Sequence, residues 1–198
     1  MTAMLDLESL PEVVMPTCPI RQVLKGQKAL VTGANSGIGK GIALALAHAG
    51  ADVVVNFRSN PEAAEQVVEE AGHCGSRVFA HQADVSDEQQ VQEMFRRIID
   101  EFGTIDILVN NAGATKRGNF FELTDEDWAS GFGLKFFAGM RMTRSAWPHL
   151  KKAKGSIVNI IGIGSRTAAA EFTIGGSVNS AIVNFTKATG DIGRKDGV

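Results

Sequence analysis

Five short apolar runs alternate with stretches of helical periodicity, and that alternation constrains the fold more than any other feature. Residues 28–31, 52–56, 77–82, 105–110 and 156–160 read as buried strands. Between the first two, residues 37–49 place Ile38, Ile42, Ala45, Leu46 and Ala49 at helical spacing before Gly50. Asn60-Pro61 reads as an N-cap followed by proline at the first helical position, opening a stripe of Ala63, Ala64, Val67, Val68 and Ala71. Ser86 with Gln89 reads as a capping box ahead of Val91, Met94, Phe95, Ile98, Ile99 and Phe102. A long amphipathic helix is expected from Thr124, with Asp127 as its box partner and Trp128, Phe132, Phe136, Met140, Thr143 and Trp147 buried. A last helix is expected over about residues 176–187. Strands separated by helices predict βαβ units: an α/β fold, a Rossmann-like doubly wound parallel sheet with helices on both faces.

With 198 residues there is room for one domain, expected over 28–198. Residues 1–27 hold Pro11, Pro16 and Pro19, lack the basic start and apolar segment of a secretory signal, and read as an N-terminal arm. A net charge of −2 leaves no basic footprint for nucleic acid or anionic lipid, and no apolar run is long enough to span a bilayer. Two cysteines, Cys18 and Cys74, make no disulfide framework, which points to a reducing compartment and a cytoplasmic location. No His or Cys spacing suits a metal.

The binding chemistry sits directly after the first strand, in TGANSGIG at 32–39. Glycines 33, 37 and 39 let the backbone turn tightly and keep Cβ atoms away from a pyrophosphate at the following helix N-terminus. A glycine triplet alone is a weak signal, but here it joins a strand to a helix inside a βαβ unit, as the mechanism demands. At the end of the second strand, where an acidic residue would select NAD through the ribose, the chain reads Asn56-Phe57-Arg58-Ser59. A guanidinium in place of a carboxylate suits an adenosine 2′-phosphate, so NADP(H) is expected over NAD(H). The plainer alternative for Arg58 is a solvated loop charge.

These motifs, with Asp84-Val85 after the third strand and Asn110-Asn111-Ala112-Gly113 after the fourth, resemble the short-chain dehydrogenases/reductases in order and spacing. The stretch up to Gly113 looks closest to glucose-dehydrogenase-like members. The resemblance implies hydride transfer between a dinucleotide and an alcohol or carbonyl substrate. It assigns cofactor contacts to Gly33, Asn35, Ser36, Gly37, Ile38, Gly39, Asp84, Val85, Asn110, Ala112 and Gly113, to which the guanidinium of Arg58 adds a contact with the 2′-phosphate. It also implies association of like chains through the helix expected from Thr124 and its neighbour.

The resemblance fails at the reaction centre. The family uses a Tyr as proton carrier, a Lys four residues later that lowers the Tyr pKa, a Ser that polarises the substrate oxygen and an Asn that anchors a water chain. Counting along this chain puts Lys135 at the Asn, Gly162 at the Ser, Gly175 at the Tyr and Asn179 at the Lys. The chain contains no tyrosine at all. Ser165, Ser177, Glu171 and Lys135 are the nearby stand-ins. Lys135 would carry a proton if burial lowered its pKa, but the preferred reading turns its ammonium to solvent. Family members continue past a segment like 195–198 into two more strands and a substrate-covering loop, so the fifth strand is expected at a sheet edge. A fragment, a joined reading frame and an unusual family member all fit that pattern. The expectation is therefore an NADP(H)-dependent oxidoreductase with a degenerate site, the alternatives being a non-catalytic NADP(H)-binding protein and an incomplete family member.

Overall fold

A computed structural model describes residues 22–198. Its centre is a five-stranded, all-parallel sheet of β1 (Lys28–Val31), β2 (Asp52–Phe57), β3 (Val78–Gln82), β4 (Ile107–Asn110) and β5 (Ser156–Asn159), in the order β3-β2-β1-β4-β5. The order reverses between β1 and β4, the switch point at which doubly wound sheets open a crevice beyond their strand ends. Most of the N-terminal arm lies outside the described residues. Residues 22–27 turn against the end of the first helix, with Leu24 N–H donating to Ala49 O at 2.9 Å.

Each strand is joined to the next in sequence through helix, and the helix Glu88–Phe102 carries the chain across the sheet from β3 to β4. α1 (Gly37–His48) and α2 (Pro61–Gly72) cover one face, burying Ala43, Ala47, Ala64, Val67 and Ala71 against Val31, Val53 and Val55. α3 (Glu88–Phe102) and α5 (Ala138–Ala153) cover the other, where Met94, Ile98, Met142 and Leu150 meet Leu30, Val54 and Leu108. α4 (Asp125–Phe132) and α6 (Thr173–Asp196) meet in a smaller cluster of Trp128, Phe132 and Phe136 on Ile174, Val178 and Ile182.

Several expectations change. In α1 the buried face is Gly39, Ala43 and Ala47 rather than the Ile38 stripe, because small side chains let the helix lie close to the sheet; Ile38 is exposed. α3 is capped by Asp87, whose Oδ1 accepts from Gln89 N at 2.8 Å and Gln90 N at 3.1 Å. Ser86 is already engaged, its hydroxyl donating to Asp84 Oδ1 at 2.6 Å, and a carboxylate suits the positive helix end better than a hydroxyl.

The long helix from Thr124 is two helices joined by a π turn at Gly133–Phe137. Its predicted capping box with Asp127 is present. The π turn rotates everything after it, so Ala138, Met142, Thr143, Ala146 and Leu150 are buried, while Met140 and Trp147 are only half-buried. α6 begins at Thr173, close to its expected start, and runs to Asp196, well past its expected end.

Asp196 ties α6 to α5, accepting from Lys151 Nζ at 2.6 Å and from Trp147 Nε1 at 2.9 Å, and these bonds, Lys151's first, hold its carboxyl below the usual range. Its contribution to stability is therefore fully present above the unfolded value of about 3.9 and is lost as pH falls through the lower folded value. Urea midpoints followed from pH 6 to pH 2 should show this acid loss, and Asp196→Asn should flatten it. Leu108→Ala, in the middle of β4 and fully buried, should cost about 2–5 kcal/mol in the same assay. Val158→Thr on β5, where the side chain is 46% exposed, should stay within about 0.5 kcal/mol.

Candidate functional site

The C-terminal rim of the sheet is stitched together by threonine and asparagine side chains, and the site is built on that stitching. Thr32, at the end of β1, is buried; its Oγ1 accepts from the amides of Asn111 and Ala112, both at 3.0 Å, and donates to Val109 O at 3.3 Å. Asn111 returns the contact, its Nδ2 donating to Thr32 O at 2.9 Å and Gly33 O at 3.1 Å. On the other side, buried Asn56 accepts from Gly33 N–H at 3.3 Å and donates to Ala83 O at 3.1 Å. The loop after β1 is thus clamped from β4 and from β2.

That clamp makes two glycines obligatory. Gly33 sits at φ +61° against Ala112, a backbone that other residues rarely adopt. A Cβ on Gly39 would stand 2.2 Å from Gly33 O and 2.5 Å from Asn111 Nδ2. Ser36 caps α1 with its backbone only, so the first-turn N–H groups of α1 receive no side-chain acceptor from it.

The loop opens onto a cavity of about 580 Å³, within the usual range for a small-molecule site. Of the residues expected to contact cofactor, Gly33, Asn35, Ser36, Ile38, Gly39, Arg58, Asp84, Val85, Ala112 and Gly113 line it. Gly37 does not, and Asn110 lines a smaller cavity behind it. Asn35 is partly occupied, donating to Ser59 O at 2.8 Å. Arg58 lies 3.9 Å from Asp84 and remains 65% exposed at its side chain, a loose pair that leaves the guanidinium available.

At the opposite end, beyond β4, Lys135 projects from the π turn. Its stem lies along Gly113, where a Cβ would come within 2.9 Å of Lys135 Cγ. It is half-buried, and burial alone pushes its ammonium below the ordinary lysine range. The side chain forms part of the cavity wall, so its stem is less solvated than that of a free surface lysine.

Gly162, Gly175 and Asn179 come together, though only Gly162 lines the large cavity. Asn179 Oδ1 accepts from Gly162 N–H at 3.0 Å, and its Nδ2 donates to Gly175 O at 2.7 Å. The Phe172 ring fills the space beside Gly175, where a Cβ would fall 2.0 Å from Phe172 Cζ. Ser165 and Ser177 line a separate cavity beside Phe172 and Thr173. Among the described residues no cluster of three His, Cys, Asp or Glu side chains could hold a metal ion, and no helix is long and apolar enough to cross a membrane.

A family model described as short chain dehydrogenase matches residues 27–198. The chain belongs to the short chain dehydrogenase family. It is 38% identical over 168 residues to a D-beta-hydroxybutyrate dehydrogenase of Cupriavidus necator, covering 84% of this chain and 65% of that protein. Among solved structures, a short chain dehydrogenase from Burkholderia cenocepacia in complex with NADP superposes with a TM-score of 0.84 at 32% identity, covering 88% of this chain and 71% of the other. A 7 alpha-hydroxysteroid dehydrogenase complexed with NADH and 7-oxo glycochenodeoxycholic acid gives 0.82 at 32% identity, covering 89% and 69%. The chain spans between 50% and 65% of the length of the curated relatives it matches.

In this member of the short chain dehydrogenase family, Thr32, Asn56 and Asn111 hold the site although no role was expected of them. Their signal was present in the polar residues that close apolar strands, but their work is done through backbone groups that lie about 25 to 80 positions away. Substituting Gly175→Ala should destabilise the chain through the Phe172 clash, and Phe172→Ala/Gly175→Ala should recover part of the loss. Urea unfolding of the two single variants and the double variant measures that coupling.

Proposed function

We propose that this chain binds NADP(H) and works as an oxidoreductase on an alcohol or carbonyl compound, with a reaction centre that departs from its family's. The observation that carries the reading is the clamped loop between Thr32 and Gly39, closed to Cβ atoms on its inner side and set at an uncapped helix N-terminus. Those features fit a pyrophosphate: the amides of the first turn of α1 supply donors, and the glycines admit the phosphate oxygens. Arg58, beside Ser59 and Asn35, would meet an adenosine 2′-phosphate, while Asp84 and Val85 would border the adenine. A cytoplasmic location belongs to the same reading.

When bound, the dinucleotide supplies or accepts a hydride. The chain's own residues position it: Ala112 and Gly113 form the floor beyond the pyrophosphate, and Ile160 to Gly162 form the wall toward the substrate. By the family resemblance, Lys135, Gly162, Gly175 and Asn179 occupy the four positions that ordinarily handle the proton and polarise the oxygen. Asn179 spends both ends of its amide on backbone groups, and the Phe172 ring stands where a larger side chain at 175 would go. This favours one second reading, a dinucleotide-binding subunit without turnover.

Titrating NADPH against Trp128 and Trp147 fluorescence, then following NADPH absorbance with carbonyl compounds, separates the two readings. The first expects quenching and slow turnover, the second quenching alone; no quenching would overturn both. Arg58→Ala should weaken NADPH binding about tenfold and leave NADH binding nearly unchanged, the loss expected for one charge-assisted contact.

A further inference from the structure

Behind the large cavity lies a small one of about 10 Å³, roughly the room that a single water requires. It is lined by Asn110, Lys135, Gly139 and Asn159, with Ile182 and Phe185 from α6 closing it. Asn110 spends its Nδ2 on Asn159 Oδ1 at 2.9 Å and Thr143 Oγ1 at 3.3 Å, and its Oδ1 is buried with no donor. Buried acceptors are seldom left unmatched, and the cost of leaving one so is of the order of 1–3 kcal/mol. Lys135 lines both cavities and makes no hydrogen bond or ion pair among the described residues. A one-water space between an unmatched acceptor and an unpaired cation is a place for a bridging water.

We propose that Lys135, held through one water by Asn110 Oδ1, is the proton-carrying group of this site. The inference rests on the oxidoreductase reading above. In the reducing direction Lys135 Nζ gives a proton to the carbonyl oxygen as the C=O π bond opens. The new C–H bond takes the hydride of the reduced dinucleotide, so the carbonyl compound is reduced and the dinucleotide oxidised. The neutral amine then recovers a proton from solvent. Asn110 is a positioning residue, acting through the water.

The setting suits the task. A π turn, a feature that concentrates at functional sites, carries Lys135 into the wall, and Gly113 leaves room for its stem. Arg58 and Asp84 are the other charged groups lining the large cavity, and they stand on the far side of β1. Phe136, Gly139, Ile182 and Phe185, which face the small cavity from the surrounding helices, are uncharged. Burial without a compensating charge brings the amine closer to working pH, where a proton carrier is most effective.

The test is competitive acetylation of the whole chain over a pH series, read at Lys135 by mass spectrometry. Lys135 should titrate below the ordinary lysine range. Gly139 lines the small cavity, and in Gly139→Ala the added methyl would stand 3.9 Å from Asn110 Cγ, in ordinary contact; alanine is favoured over glycine in a helix, so the variant should fold. Displacing the water removes an acceptor from the ammonium, and the Lys135 midpoint should fall by about one pH unit, tenfold in the reactive fraction. With NADPH and ethyl acetoacetate, turnover should decline as pH rises through that midpoint and should shift with it in Gly139→Ala. A midpoint in the ordinary lysine range, one unmoved by Gly139→Ala, or a rate that ignores it would overturn the proposal. The acetylation needs no dinucleotide, so a failure of NADPH to quench fluorescence is read separately as failure of the oxidoreductase reading.

Discussion

The hydroxyl of Thr32 is the contact on which the rest of the site depends. Two amides of the segment after β4 converge on it, and it donates in turn to the Val109 carbonyl of that strand, all from a position some 80 residues earlier. Removing the oxygen would leave the part-buried amides of Asn111 and Ala112 without that acceptor, each costing about 1–3 kcal/mol, while Val109 O keeps the Thr32 N–H at 3.0 Å. The loop that follows is held in one shape by this anchor and by the Asn111 amide, which covers the carbonyls of Thr32 and Gly33. Only with the carbonyls so engaged do the amides of α1 face the cavity unopposed. The shape of the loop at that helix end is therefore a consequence of a lock between two strands that are adjacent in the sheet but remote in the chain.

The same device recurs along the rim. Asn56 at the end of β2 reaches the β1 loop on one side and the segment after β3 on the other. Asn110 at the end of β4 reaches Asn159 at the end of β5, and Asn159 donates to Thr186 of α6 at 2.9 Å. An amide side chain suits this work because it carries donor and acceptor together and can satisfy backbone groups on two neighbours. The rim becomes a chain of hydrogen bonds across all five strands. Where that chain leaves one atom over, at Asn110 Oδ1, it does so beside the cavity that Lys135 shares.

Much of this was legible in the sequence, and the parts that were not share a cause. Strand positions, the Asn60 and Thr124 caps and the α3 stripe all follow from local periodicity or local hydrogen bonding, and they stand as expected. The α1 stripe was misjudged because hydropathy favours Ile38, whereas close packing on a sheet favours Gly39, Ala43 and Ala47. The cap of α3 moved from Ser86 to Asp87 because Asp84 had already engaged Ser86, a competition invisible at the level of a four-residue pattern. The π turn left no mark in composition: 133–137 reads as ordinary amphipathic helix, yet one added residue per turn there shifts the buried face, so that Met140 and Trp147 give way to Met142 and Ala146 while Thr143 stays buried as expected. Lys135 was expected in solvent for the same reason, since its burial comes from that turn and from the bare surface of Gly113.

The two ends of the cavity rest on unequal supports. The end holding the glycine loop sits over β1, β2 and β4, each paired on both sides, with fully buried side chains beneath. The other end leans on β5, which among the described residues is an edge with Val158 and Ile161 partly exposed, and on α6, bound to the rim through Asn159–Thr186 and Asn179–Gly162. Phe172 takes the space that a side chain at 175 would need, so α6 contributes packing there and little proton chemistry. A site of this kind can keep its grip on a dinucleotide while its reaction centre changes, because the two functions draw on different strands. Lys135 stands at the reaction-centre end, yet its stem lies on Gly113, in the segment that Thr32 anchors, and in the proposal above the proton task falls to it by position as much as by chemistry.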